Sequence, residues 1–242
     1  MAAQPRKSGS ARRLRALYDR LVRVYGPQQW WPARTSFEVI VGAFLTQNTA
    51  WKSVERSIAA LEAHHALSVE GIREIPEAEL RQLIRPSGFM LRKAAALKAF
   101  VAFLDARYQG SLAPLRRAAR RSSAEVRTEL LALPGVGPET ADAILLYALG
   151  VPAMVVDEYL RRVVTRHRLL PEPARYAAIQ SLAEEAFAPE QRAESADALA
   201  RHFNEFHALF VQIGKDYCGR VPRCENCPLR SDLPRPRSGN PG

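Results

Sequence analysis

Cysteine is scarce in this chain. Its 242 residues include three, an odd number, all between Cys218 and Cys227. A disulfide-stapled scaffold is thereby excluded. Long hydrophobic runs are missing as well. No stretch of about 18 consecutive apolar residues occurs, so no membrane span is expected. The first ten residues carry Arg6 and Lys7, but no apolar segment follows them as a secretory signal requires. These absences predict a soluble, intracellular, cytoplasmic protein whose thiols stay reduced and available for metal or cluster ligation. Strand-like sequence is also short. The one convincing run, Met154-Val155-Val156, cannot build a sheet. There is no internal repeat and no long linker.

What the chain does have is an excess of positive charge and apolar residues at helical spacing. Lys and Arg total 35 against 25 Asp and Glu, a formal net charge of +10 and a pI near 10.0. Hydrophobic residues make up 47% and charged residues 25%, the balance of a globular chain rather than a disordered one. The length supports one large domain or two small ones, each with a real core. A basic globular chain points first to a polyanionic partner, of which nucleic acid is the commonest; solubility alone is the rival reading.

Helical periodicity recurs along the chain. Leu14, Leu17, Leu21 and Val24 mark a helix over 11–24. Ser36 can cap the next, through Leu45, and Thr49 or Ser53 the one carrying Val54, Ile58 and Leu61. Pro76 opens a short helix over 77–84, and Arg92 to Tyr108 is a longer one. Ser122 and Glu125 have capping-box spacing for a helix ending at Leu131. Pro138 suits a first helical position, with the helix continuing through Leu149. Helices over 158–167, 176–187 and 195–213 follow. The expected fold class is all-α. Residues 1–10 and 234–242, where Pro, Ser and Gly dominate the tail, are expected to be disordered.

The most informative segment is Leu133-Pro134-Gly135-Val136-Gly137-Pro138-Glu139-Thr140-Ala141-Asp142. A helix ends, the chain turns on two glycines, and a new helix starts. Glycines permit positive φ and close approach by another backbone. The N–H groups of Val136, Gly137 and the first helical turn are expected to face outward, toward an anion. A DNA phosphate fits such a site and is held there without reading base sequence. An ordinary helix–helix connection is the plainer reading. Further on, Asp157 follows the apolar run 153–156 and has the place of a helix N-cap.

The combination LPGVG…TAD…VVD resembles the endonuclease III superfamily of helix-hairpin-helix DNA glycosylases. The resemblance covers about residues 11 to 230. It implies a two-lobed helical fold with the active-site cleft between the lobes. One lobe would be the central bundle, 36–150, and the other would join 11–35 to 151–233. It implies that the hairpin (Gly135, Val136, Gly137, Thr140) holds a DNA phosphate and that Asp157 is the catalytic acid. N-glycosidic cleavage has an oxocarbenium-like transition state, which a nearby anion stabilises. Bifunctional members, which also cut the backbone, place a Lys just before the Thr of the hairpin motif, where it forms a Schiff base. Here that position is Glu139. A carboxylate cannot form an imine, so the resemblance implies a monofunctional glycosylase with water as nucleophile.

A glycosylase must extrude its target base and hold it in a pocket. The three Trp fall close together in sequence: Trp30, Trp31 and Trp51. Members of the superfamily carry a polar residue near Gln47 that fills the gap left by the flipped base. The constellation Trp30-Trp31-Pro32, then Leu45-Thr46-Gln47-Asn48-Thr49, then Trp51, together with Glu139-Thr140-Ala141-Asp142, is similar to the 3-methyladenine DNA glycosylase III branch, which excises N-alkylated purines. An alkylated purine is cationic or electron-poor and stacks well on indoles, with a cation–π attraction of about 0.5–2 kcal/mol per contact. Trp30, Trp31, Trp51 and Glu139 are thus base-pocket candidates. Core packing is the alternative for the tryptophans, and a solvated first-turn acid for Glu139. Ser87-Gly88-Phe89 with Arg92 and Lys93 resembles a second DNA-facing turn of endonuclease III relatives. The arginine pairs at 116–117, 120–121 and 161–162, with Arg166, are candidate phosphate contacts.

Cys218, Cys224 and Cys227 form the pattern Cys-x5-Cys-x2-Cys. Endonuclease III relatives close this region with four Cys around a [4Fe–4S] cluster. Here the fourth position falls on Asp232 or Leu233. Either an Asp or an exogenous ligand completes a three-Cys cluster, or a degenerate loop without iron remains. The resemblance implies a monomer acting on double-stranded DNA that contains a damaged base. Competing readings are a glycosylase for oxidised pyrimidines, an adenine mismatch glycosylase and a non-catalytic hairpin DNA-binding protein. The absent Lys and the Trp pair speak against the first, the absence of an added recognition domain against the second, and Asp157 against the third.

Overall fold

The computed structural model describes residues 9–28, 30–31 and 33–234. Among these there is no β-strand, and they run helix after helix, as the helical periodicity predicts. Segments 1–8 and 235–242, expected to lack order, lie outside the described residues, as does Pro32. Gly9 and Ser10, expected in the disordered start, instead form the first turn of α1 (Gly9–Tyr25).

The chain divides into two compact units, with breaks between Trp30 and Trp31 and between Ala153 and Met154. The sequence suggested breaks at 35/36 and 150/151. Trp31 is held in its unit by aromatic neighbours. Met154 is held in the other, where its carbonyl accepts from Gln180 Nε2 at 2.8 Å.

The unit from Trp31 to Ala153 contains α2 (Ser36–Leu45), α3 (Trp51–Ala63), α4 (Val69–Glu74), α5 (Glu77–Leu83), a 3-10 turn (Arg85–Ser87), α6 (Met90–Tyr108), α7 (Leu112–Arg121), α8 (Ser123–Leu131), α9 (Pro138–Ala143) and a π-helical turn (Ile144–Ala148). Helix α2 is buried from Phe37 to Leu45, which is why it shows no polar face, and it packs on α3, α6 and the π turn. Its cap is Thr35 rather than Ser36; the Thr35 hydroxyl accepts from Glu38 N at 3.1 Å. Helix α3 starts after Ala50 with no side-chain cap. Thr49, expected to serve, has its hydroxyl turned to other partners described below. Ser122 caps α8 as its spacing predicts. Helices α4 and α7 carry no long periodic pattern and were not anticipated; α7 buries only Leu115 and Ala119.

The second unit holds α1, α10 (Glu158–Arg166), α11 (Tyr176–Ala186), the short α12 (Ala188–Ala193), α13 (Ala196–Asp216) and a final 3-10 turn (Arg230–Asp232). Helix α13 packs on α10, α1 and α12. Its core is aromatic: Phe187 lies edge-on to Tyr18, Phe203 and Phe206, with centroids 5.2, 5.7 and 5.5 Å apart. Such pairs add about 0.5–1.5 kcal/mol each beyond their area. Met154-Val155-Val156 forms no strand with any of the described residues. Side chains of α11 replace the ladder: the Tyr176 hydroxyl accepts from Val156 N at 3.3 Å, and Gln180 donates to the Met154 carbonyl.

Candidate active site and DNA-binding hairpin

Helices α8 and α9 form the expected hairpin, but its backbone is only partly free. Val136 N donates to the Leu133 carbonyl at 3.2 Å and Val136 is buried, so its N–H does not face outward as anticipated. The reason is a four-residue turn, 133–136, closed by that bond. Gly135 provides the turn with φ +77, and a Cβ there would lie 3.0 Å from Ala96 Cβ of α6. Gly137 differs. Its φ is −96 and a Cβ would meet nothing within 4 Å, so this position is open to another molecule. The hairpin is braced by Asp142, which is fully buried and takes a bidentate pair from Arg127 of α8 (Nε–Oδ1 2.6 Å, Nη2–Oδ2 3.0 Å). Two facing bonds of this kind tie α8 to α9.

Gln47 belongs to the same assembly. Its Nε2 donates to the Gly135 carbonyl and to Thr140 Oγ1, both at 2.9 Å. The amide nitrogen of the residue expected to fill a gap in DNA is thus bonded to the turn, and Thr140, one of its two acceptors, is buried. The neighbouring exposed residue is Asn48, in the left-handed region at φ 51. Glu139 is exposed in the first turn of α9.

The aromatic candidates separate. Trp31 and Trp51 meet edge to face, centroids 5.4 Å apart, and Tyr147 lies 5.3 Å from Trp31. Gly42 of α2 makes room for this group, since a Cβ there would come within 3.3 Å of the Trp31 ring. Tyr147 sits on the π turn, where the helix expected to run regularly through Leu149 instead bonds Leu149 N to the Ile144 carbonyl at 3.0 Å. A π turn shifts the register of one helical residue, and such turns often accompany functional sites. Sequence periodicity cannot show that shift, so Tyr147 was not a candidate. Trp30 falls in the other unit, with Lys215 Nζ 5.2 Å from its ring.

Asp157 is the N-cap of α10. Its Oδ1 accepts from Leu160 N at 2.7 Å, and the residue is 8% exposed. Its Oδ2 lies 3.7 Å from His207 Nε2 of α13. Burial drives the carboxyl pKa upward; His207 and the N–H groups of Leu160 and Tyr159 oppose that, without cancelling it. Burial pushes His207 down, against the pull of Asp157. The site thus holds a desolvated carboxylate fixed by its cap beside an imidazole, an arrangement able to stabilise a developing cation or to hold a water for attack. His207 escaped the sequence reading because it lies inside the apolar run Phe206 to Val211 and looks like a core position.

The basic runs are partly structural. Arg116 donates to Ser36 Oγ and to the Ala148 carbonyl at 2.7 and 3.0 Å. Arg161 donates to the Ala174 carbonyl. Arg166 donates to Cys218 Sγ at 3.1 Å and to the Arg220 carbonyl at 3.0 Å.

Among the described residues, the donors near the C-terminus are not arranged as a four-ligand site. Cys218 is buried, Cys224 and Cys227 are half-buried, and a turn joins the last two through Cys227 N and the Cys224 carbonyl at 3.3 Å. Burial pushes the Cys227 thiol up. The Asp232 carboxylate, a candidate fourth ligand, is occupied. It accepts from Arg13 Nε and Nη2 at 3.2 and 2.8 Å and pairs with His167 Nδ1 at 2.9 Å. Leu233 offers no donor atom. Among the described residues no group of three or more His, Cys, Asp or Glu is placed to hold a metal ion.

Residues 41–189 match the HhH-GPD superfamily of base excision DNA repair proteins. A Methanocaldococcus jannaschii protein named as a candidate DNA repair glycosylase is 39% identical over 214 residues, 88% of this chain and 92% of its own. The Helicobacter pylori 3-methyladenine DNA glycosylase MagIII, solved with 1,N6-ethenoadenine, superposes with a TM-score of 0.72 at 29% identity, covering 86% of this chain and 97% of that one. A non-covalent endonuclease III–DNA complex gives a TM-score of 0.73 at 22% identity over 92% and 94% of the two chains, a likeness of fold.

Proposed function

The chain belongs to the HhH-GPD superfamily and is a DNA repair glycosylase, and we propose that it is a monofunctional enzyme that flips out and hydrolytically removes an N-alkylated purine. The observation that carries this reading is Asp157, a buried carboxylate fixed by its cap beside His207. In the proposed reaction the bond from the purine nitrogen to the sugar C1′ breaks, and its electrons leave with the base. Asp157 stabilises the cationic sugar left behind, or takes the proton from the water that adds to C1′. Alkylation at N3 or N7 already makes the base a good leaving group, so this limited machinery suffices. Trp31 and Trp51, with Tyr147, supply an aromatic wall suited to an electron-poor ring, and Trp30 with Lys215 a separate indole surface. Gly137 and the first turn of α9 hold a backbone phosphate. The superposition with MagIII, solved with an alkylated adenine, supports the substrate class.

Glu139 supports the absence of lyase chemistry, because it supplies no amine at the position before Thr140. The cysteine loop, on this reading, has a structural role in a monomeric enzyme that works wherever the cell keeps its DNA. The test is a panel of duplexes, each with one lesion (3-methyladenine, 7-methylguanine, 1,N6-ethenoadenine, hypoxanthine or thymine glycol), with chromatography of the free base. Release confined to alkylated purines is expected; release of thymine glycol alone overturns the assignment. Borohydride added during turnover should trap no protein–DNA adduct.

A further inference from the structure

Lys93 follows the turn 87–89 that is expected to face DNA, and it is itself only 3% exposed, on the inner side of α6. Its ammonium donates to the Leu45 carbonyl at 2.8 Å, to Thr49 Oγ1 at 2.7 Å and to the Ser87 carbonyl at 2.7 Å. An ammonium has three N–H donors, and these three acceptors use them all. Burial pulls its pKa down to about 8, still above neutrality. The three acceptors come from different places: the last residue of α2, the loop that follows it, and the 3-10 turn before α6. The Thr49 hydroxyl extends the link by donating to the Ser87 carbonyl at 2.7 Å, and Ser87 Oγ donates to Ser57 Oγ of α3 at 2.8 Å. One buried cation thus joins two loops that are about forty residues apart in sequence.

Each joined loop presents a non-glycine residue in the left-handed region. Asn48 has φ 51 and is exposed; Phe89 has φ 49 and is 58% exposed. Left-handed backbone costs roughly 1–2 kcal/mol at an L-residue and persists where the surroundings impose it. Beyond Phe89, Leu91 is 60% exposed, and Arg85 and Arg92 flank the patch. Exposed apolar side chains among arginines suit a partner that is anionic outside and apolar between its stacked bases.

We propose that Lys93 is a positioning residue for duplex opening: its ammonium locks the loops at 46–50 and 85–89 in one arrangement, so that Asn48 and Phe89 enter the disrupted base stack together. This rests on the glycosylase reading. Extruding a base from a duplex carries an unstacking penalty that an already unpaired base does not. Wedges held rigid before binding lose less freedom on insertion than mobile ones. Lys93 therefore acts on the opening of paired DNA and leaves the chemistry at Asp157 untouched.

The experiment compares the wild type with Lys93→Met, which keeps the stem and removes the donors. One substrate carries the lesion in a duplex, the other the same lesion unpaired in a loop. Single-turnover base release on the duplex should fall by about tenfold or more, with an unchanged rate on the loop substrate. An equal loss on both overturns the proposal, as does no loss on either. Thr49→Val, which removes one of the three acceptors of the ammonium together with the hydroxyl's own bond to Ser87, should give a smaller loss of the same selectivity and serves if Lys93→Met does not fold. The fluorescence of 2-aminopurine beside the lesion reads stack opening without chemistry. Opening by the wild type that is lost in Lys93→Met supports the inference even where no base is released, an outcome that would remove the glycosylase reading alone. No opening by the wild type overturns it.

Discussion

Asp157 Oδ2 lies 3.7 Å from His207 Nε2, inside the unit formed by α1 and α10–α13, with both residues almost wholly buried. A carboxylate in that place is costly for the fold. Its raised pKa means that the folded state binds the proton more tightly than the unfolded one, so stability falls as pH rises from the ordinary carboxylate range through the folded value. Asp157→Asn removes the charge and keeps the cap, because an Asn oxygen accepts from Leu160 N equally well. The variant should lose at least about a hundredfold in base release. It should also melt roughly 2–6 °C higher at neutral pH, from a gain of about 0.5–2 kcal/mol. The advantage should vanish at pH near 3. Full activity in Asp157→Asn would remove the catalytic assignment; lost activity with lowered stability would make Asp157 a cap only.

The same pair sets the acid side of the pH profile. Base release needs Asp157 ionised, so kcat/KM should fall as pH drops through its raised pKa, at a higher pH than a solvent-exposed Asp would give. His207, when protonated, favours the carboxylate. His207→Leu should therefore move the acid limb toward higher pH while leaving the plateau rate largely intact. A limb that stays in place shows that His207 does not act on Asp157.

Gly135 and Gly137 are two residues apart and predict opposite phenotypes. At Gly135, φ +77 and the nearby Ala96 Cβ oppose any side chain. Gly135→Ala should destabilise the fold by about 1–2 kcal/mol, roughly 2–8 °C in Tm. At Gly137 an Ala is sterically free, so Gly137→Ala should leave Tm unchanged within about 1 °C. If a phosphate seats at this point, the same change should weaken DNA binding several-fold, which titration of a labelled duplex measures. Unchanged affinity would move the phosphate contact elsewhere on the hairpin.

Much of this was legible in the sequence, for physical reasons that differ between residues. Leu14, Leu17 and Leu21 revealed α1 because one face of a helix must be apolar to be buried. Ser122 revealed the start of α8 because its hydroxyl satisfies a backbone N–H that is local in sequence. The hairpin and Asp157 were visible because turn chemistry and capping are local too. Lys93 was not, and its loop partners show why: the ammonium reaches Leu45 and Thr49, more than forty residues away, and nothing local distinguishes a buried Lys from a solvated one. Gln47 shows the same limit. Its amide serves Gly135 and Thr140, long-range partners that nothing local announces.

The end of the cysteine loop offers a last test. Burial alone would raise the Asp232 carboxyl, but hydrogen bonds from Arg13 and His167 hold it below the ordinary Asp value. That depressed pKa contributes stability above the unfolded carboxylate range, and the contribution is lost as pH falls through the folded value. The latch joins α1, the end of α10 and the C-terminal 3-10 turn, closing the loop where a fourth cluster ligand would otherwise close it. Arg13 is partly exposed, so solvent screening limits the gain to about 1 kcal/mol, or roughly 2–4 °C. Asp232→Ala should lower Tm by that amount at pH 7, and the difference should shrink as pH falls below the ordinary carboxylate range. Anaerobic iron and sulfide analysis of the wild type provides the independent check. Stoichiometric iron with an unchanged Tm in Asp232→Ala would show that the three thiols organise this loop around a cluster, with the fourth ligand coming from outside the latch.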